Sequence, residues 1–272
     1  MSASHLDFKG SDPPPEKMPG HWLLARMGKR VLRPGGLELT RRLLEALRIG
    51  PSDEVVEFAP GLGVTAKLTL GRHPRRYTAV ERDAVTAEQV RRLLAGPDQR
   101  CVIGFAEESG LPGGRATVVY GEAMLSMQLP TTKARIVAEA ARLLQPGGRY
   151  GLHELCLVPD DLDEAVATAI ARDLSEHIHI GVRPLSAAGW RALLESCRFE
   201  VMAEALAPMR LLEPWQVFRD EGWWGATRFL LNVLRSPAAR RRVRSMQQVF
   251  RRHREHLAAI MLVGRKREES AP

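Results

Sequence analysis

The sequence predicts an α/β fold: a doubly wound, mostly parallel sheet of seven strands, with a helical cover before it and a helical lid inserted late. Three observations predict it. Between residues 54 and 158 short apolar runs alternate with helix-length stretches, the rhythm of βαβ units and a parallel sheet. The turn after the first apolar run is rich in glycine and opens a helix, where open α/β sheets bind ligands. Beyond residue 158 longer helical stretches break the rhythm, and a last apolar run follows at 257–263.

Each element has its own signal. Residues 1–17 are polar, with Pro13-Pro14-Pro15, and read as a flexible arm. Residues 18–50 form the cover: Trp22, Leu23 and Leu24, a break at Pro34-Gly35-Gly36, then Leu39, Leu43, Leu44 and Leu47 at helical spacing. The core takes 51–158, with strands at 54–58, 77–81, 100–105, 115–122 and 149–158 and helices at 65–70, 84–94 and 132–144. Right-handed crossovers put those helices on both faces of the sheet. Residues 159–256 make the lid and substrate region. It holds a helix over 160–180, one capped by Ser186 and running to Cys197, a strand near 199–207, an aromatic-rich helix over 214–234, and a helix from Ser236 or Pro237 to about His256. A last strand takes 257–264 and a tail 265–272.

Composition narrows the class. With 272 residues, 44% of them hydrophobic, the chain can bury a substantial core, and no apolar run approaches the roughly 20 residues that cross a bilayer. The polar start has no apolar stretch of the secretory-signal kind. Cys101, Cys156 and Cys197 are odd in number, far apart and form no CxxC, which argues against a disulfide framework and a zinc site. No metal is expected, and a soluble protein of a reducing, cytoplasmic compartment is.

The formal charge of +8 is unevenly spread. From Arg235 to Arg267 eleven Lys and Arg face one acid, Glu255, whereas residues 1–234 are balanced. Ala239, Val243, Met246, Phe250 and Leu257 recur at helical spacing there, an apolar stripe on an otherwise basic helix. Its arginines, Arg240–Arg254, have three readings: a solvated face, a peripheral anionic membrane surface, or nucleic acid. Interleaved aromatics would support nucleic acid, and only Phe250 is present, on the apolar stripe.

The strongest chemical signal is Glu57-Phe58-Ala59-Pro60-Gly61-Leu62-Gly63-Val64-Thr65-Ala66. Glycines there allow a tight turn and close ligand approach, and the helix that follows offers free N–H groups. Eighteen residues beyond Gly63, at the end of the next strand, Glu81 can accept hydrogen bonds from both hydroxyls of a ribose. The pattern also fits a dinucleotide-binding loop, or a glycine turn with no ligand. Against the dinucleotide reading, Glu57 puts a carboxylate four residues before Gly61, unwelcome beside a pyrophosphate and welcome beside a cationic group.

These segments, taken in order, resemble the class I S-adenosylmethionine-dependent methyltransferases, whose fold is Rossmann-like. Glu57–Gly63 looks like the family's first motif, Glu81 its ribose-binding acid with Arg82 flanking the adenine, and Gly104-Phe105-Ala106-Glu107-Glu108 its adenine segment. Leu144-Gln145-Pro146-Gly147-Gly148 looks like the turn before the fifth strand. The resemblance covers about residues 50–160 and implies S-adenosylmethionine bound by Glu57, Gly61, Gly63, Glu81, Arg82, Ala106, Glu107 and Tyr120. Two departures stand out: Phe105 replaces an Asp that often contacts the adenine amino group, and Thr117 replaces an acid that often begins the fourth strand.

Residues ending the fourth and fifth strands should face the transferred methyl group. Tyr120-Gly121-Glu122-Ala123-Met124 resembles the post-strand segment of methyltransferases acting on small amines and isoprenoid or sterol-like acceptors. His153 is the expected base, since its ordinary pKa of about 6.5 suits proton removal, with Glu122 or Glu154 as partner or acceptor-binding carboxylate. Trp22, Met124, Glu154, Trp223 and Trp224 are expected to line the acceptor site. The expected activity is methyl transfer to a small, apolar or aromatic-bodied acceptor by a monomer or homodimer. RNA methylation through the arginine helix and non-catalytic cofactor binding are the alternatives.

Overall fold

The computed structural model describes residues 14–268. Of the arm expected over 1–17, residues 1–13 lie outside the described residues, as do residues 269–272 of the tail.

The cover comprises α1 (Gly20–Arg26) and α2 (Gly36–Ala46). The core runs β1 (Glu54–Phe58), α3 (Val64–Leu70), β2 (Arg76–Glu81), α4 (Ala84–Arg91), β3 (Gln99–Ile103), β4 (Ala116–Glu122), a short 3₁₀ turn at Leu125–Met127, α5 (Pro130–Leu143) and β5 (Leu144–Leu157). Then come α6 (Glu164–Ile178), β6 (Leu185–Ser186), α7 (Ala187–Ser196), β7 (Phe199–Pro208), α8 (Pro214–Arg235), α9 (Pro237–Arg252) and β8 (Leu257–Lys266). The sheet order is β3-β2-β1-β4-β5-β8-β7. Strands β1 to β5 pair in parallel, and β8 runs antiparallel to both β5 and β7. The seven expected strands are present, and the two-residue β6 adds an eighth that pairs with β5.

Local chemistry sets several boundaries. Asp83 caps α4 by accepting from Thr86 N–H at 2.7 Å, and Ser186 caps α7 at Gly189 N–H. Ser236 caps α9 at Ala239 N–H, and Pro237 opens that helix, where a missing N–H costs nothing. The last strand reaches Lys266, two residues past the expected end, because Lys266 pairs with Phe199 of β7. Both central neighbours make β8 the buried middle of the antiparallel end, and all its residues from Leu257 to Gly264 are buried.

Alternation along the strands divides the core. One face packs Val119, Tyr150 and Leu152 against α5 and α7. The other packs Val118, Tyr120 and Tyr77 against Leu39, Leu43, Leu44 and Leu47 of α2. A third cluster joins α1, α6, α8 and α9 through Leu23, Leu24, Leu174, Phe229 and Met246. The cover and the lid therefore share one apolar core above the strand ends. Among the described residues no helix is long and apolar enough to cross a membrane.

Candidate active site

The β1–α3 turn is built to admit a ligand. Gly61 and Gly63 take positive φ values of 54° and 69°, a region that side chains with a Cβ enter at a cost. A Cβ on Gly63 would lie 2.3 Å from Leu93 Cδ1, whereas one on Gly61 would project into open space with nothing nearer than Ala59 O at 4.0 Å. That open space lies directly before the N-terminus of α3. Glu81 closes the cradle from the end of β2. Its Oε1 accepts from Asp83 N–H at 3.1 Å, and burial raises its pKa while backbone N–H groups of Asp83, Gly61 and Arg82 oppose the shift.

Beneath the turn, Glu57 is fully enclosed. Its Oε2 accepts from Tyr120 Oη–H at 2.6 Å and from Tyr77 Oη–H, and Thr69 Oγ1 pairs with Tyr120 Oη at 2.7 Å. Burial lifts the Glu57 carboxyl to about 7, against the pull of the two tyrosine hydroxyls. Tyr120 is itself fully buried; it supports Glu57 from below the turn.

The ends of β4 and β5 bring Glu122 and His153 side by side in register. His153 Nδ1–H donates to Glu122 Oε1 at 2.8 Å, and His153 Nε2 accepts the backbone N–H of Gly35 at 3.0 Å. Both ring nitrogens are thus engaged, and the side chain is fully buried. Glu122 collects further partners from three elements. Thr40 of α2 donates to Oε1 at 2.6 Å, Thr65 of α3 donates to Oε2, and Arg33 Nη1 stands 3.3 Å from Oε2. Burial alone would raise the Glu122 pKa; Arg33 and His153 more than offset it and hold the group at about 2. Arg33 also donates to Thr65 Oγ1 at 2.5 Å, so its guanidinium sits at the first turn of α3. Sequence reasoning missed Arg33. Its one local signal is its position before the Pro34-Gly35-Gly36 break.

A roof covers this cluster. Arg30 N–H and Val31 N–H both donate to Glu221 Oε1 at 2.8 Å, and Leu37 N–H donates to Asp220 Oδ1 at 3.0 Å. Lys29, fully buried, lies 3.6 Å from Glu221 and 3.9 Å from Asp220. Gly36 approaches α8 so closely that a Cβ would stand 2.5 Å from Gln216 Nε2. The loop between α1 and α2 is therefore tied to α8 directly over Glu122 and His153.

The other expected site residues are spread around this centre. Glu154 points to the opposite face of β5, fully buried. Its carboxylate accepts four bonds, from the N–H groups of Met124, Leu125 and Ser126 and from Ser126 Oγ at 2.7 Å. That set caps the 3₁₀ turn and leaves the carboxylate no position toward an acceptor. Met124 is buried, its sulfur against Gly121. Trp22 packs beside His21, ring centroids 5.2 Å apart. Burial, and after it the charge of Arg82, push the His21 imidazole down to about 4. Arg82 is exposed, and Ala106 and Glu107 are half-buried in the turn that follows β3. Phe105 in that turn is 58% exposed, an apolar ring available beside the cradle. Trp223 and Trp224, expected to line the acceptor site, are 79% and 90% exposed on the outside of α8. The cause is Gly222, whose φ of 70° and ψ of 172° break the helix and turn the pair outward. His177 lies apart from the centre, paired with Asp173.

Residues 56–152 match the family described as Methyltransferase domain. A Haemophilus influenzae protein described as uncharacterized is 28% identical over 247 residues, covering 89% of this chain and 96% of its own. Among solved structures, a Haemonchus contortus phosphoethanolamine N-methyltransferase superposes with a TM-score of 0.67 at 12% identity, over 91% of this chain and 56% of that one. A geranyl diphosphate methyltransferase bound to S-adenosylmethionine gives 0.59 at 16% identity, over 84% of each chain. The [4+2]-cyclase SpnF gives 0.63 at 14% identity, over 85% and 81%. These likenesses show the shared fold, and the cyclase among them is a reminder that one fold carries several chemistries. The glycine cradle and its flanking acids fit S-adenosylmethionine on the geometry above. Residues 56–152, which hold the cradle, Glu122 and the end of β5 beside His153, are thus similar to a methyltransferase domain, within a fold that solved methyltransferases share.

Proposed function

We propose that the chain methylates a small-molecule acceptor held under the roof at the ends of β4 and β5. The observation that carries this reading is the tie between the cover loop and α8. Hydrogen bonds from Arg30, Val31 and Leu37 to Glu221 and Asp220 leave the strand ends enclosed, which suits a small acceptor better than a folded RNA.

When bound, the cofactor supplies a sulfonium-activated methyl group. The chain's own part is to hold, orient and exclude water. In this reading Gly61 and Gly63 admit the cofactor, Glu81 accepts from its ribose hydroxyls, and Arg82, Ala106 and Glu107 flank its base. Glu57 and Tyr120 shape the floor beneath its charged end. Arg33, at the first turn of α3, adds a cation there that can meet a carboxylate. His153 acts by position: its Nδ1–H fixes Glu122 and its Nε2 holds the backbone of Gly35. A base role for His153 requires the Gly35 bond to open first.

The test is transfer of labelled methyl from S-adenosylmethionine into a metabolite extract and, in parallel, into total RNA. Label in a small molecule supports the proposal, and label confined to RNA overturns it. Calorimetry with S-adenosylhomocysteine checks the cradle independently.

A further inference from the structure

The methyltransferase reading leaves one exposed feature unused, the outer face of α8. After the break at Gly222, Trp224, Arg228, Leu231 and Arg235 follow at helical spacing and form a single stripe. Thr227 and Leu234 border it. Trp224 is 90% exposed, Leu234 58% and Leu231 44%, and Trp223 stands beside them at the tip, packed on one side by Phe218 at 5.0 Å. Four large apolar side chains facing solvent along one helix need a partner.

The charge around them selects that partner. From Gly222 to Arg235 the helix holds two arginines and not one Asp or Glu. Arg228 and Arg235 lie on the stripe itself, and neither has a carboxylate partner among the described residues. A second copy meeting this face symmetrically would set arginines against arginines, which opposes association. A nucleic acid would gain from the arginines and from stacking on the tryptophans, but nothing from Leu231 and Leu234. An anionic bilayer uses every group present. Tryptophans settle at the headgroup level, leucines enter the acyl boundary and arginines meet the lipid phosphates.

We propose that the outer face of α8, led by Trp223 and Trp224, docks the protein on an anionic lipid surface. It attaches on one side and does not span. The roof over the strand ends lies on the inward side of the same helix, so docking sets the acceptor site next to the membrane.

Cosedimentation of the full chain with vesicles tests this, using phosphatidylcholine alone and phosphatidylcholine with phosphatidylglycerol, at low and high salt. The chain should pellet with the anionic vesicles, stay in solution with the neutral ones, and come off as salt rises. Each of Arg228→Gln and Arg235→Gln should weaken binding about fivefold, from the usual contribution of a basic residue at an anionic surface. The double variant Trp223→Ser/Trp224→Ser should lose most of the binding with unchanged circular dichroism and unfolding midpoint. Absence of binding to anionic vesicles overturns the proposal, as does undiminished binding by the tryptophan variant. RNA binding or self-association that these variants abolish, with no vesicle binding, also overturns it and assigns the face to that other partner.

Discussion

Two regions of this molecule treat charge in opposite ways. At the strand ends, Glu122 and Arg33 are buried and every polar atom of the Glu122 carboxylate has a partner drawn from a different element. On the outer half of α8, two arginines stand with no acid beside them in the sequence, and large apolar groups stand in water. The first arrangement is closed and specifies a geometry. The second is open and waits for something outside the chain. Substitution should therefore be costly inside and nearly silent outside, as far as stability goes.

The sharpest way to break the contrast is Glu122→Ala. It leaves Arg33 buried without its anion, and such a loss typically costs about 3–5 kcal/mol; urea unfolding measures it. Removing both, as Arg33→Met with Glu122→Met, should cost clearly less than the sum of the single changes.

Acidity separates two buried carboxylates. Glu122, held at about 2 in the folded state, gives stability that is present above its ordinary value of 4.5 and lost as pH falls toward 2. Glu57, lifted to about 7, has the opposite sign. Its contribution is fully present below 4.5 and declines as pH rises toward 7. Glu57→Gln should flatten the stability profile between about pH 4.5 and pH 7, an effect on the order of 3 kcal/mol. Unchanged slopes in this variant would show that Glu57 does not carry a raised pKa.

Gly222→Ala tests the break in α8. A backbone at φ 70° and ψ 172° is nearly closed to residues with a Cβ, although nothing lies within 4 Å of where one would stand. The cost is then backbone strain alone, about 1–3 kcal/mol, read as a lower unfolding midpoint. The smallest effect belongs to the outer face: Trp223→Ser with Trp224→Ser should change unfolding free energy by no more than about 0.5 kcal/mol. A larger change would mean that the pair packs inward.

Much of the fold was legible because it rests on local signals. The apolar runs gave all seven strands, and Ser186 and Ser236 marked helix starts that hydrogen bonds occupy. The neighbours Glu122 and His153 followed from the rule that successive strand ends share one rim. Glu154, expected beside His153, faces the other side of the sheet because adjacent residues of a strand alternate, a signal that the sequence carries. Arg33 was not legible, because its partners Thr65 and Glu122 lie 32 and 89 residues away along the chain and nothing local announces them. Trp223 and Trp224 were read as part of a continuous helix. A single glycine conformation decides their direction, and the sequence marks only that a glycine is there.

Gly222 also acts as a joint. On one side stand Asp220 and Glu221, which hold the loop over the strand ends; on the other stand Trp223 and Trp224. The two pairs are one residue apart along the chain, so a surface that held the tryptophans would lie at the edge of the roof over the strand ends.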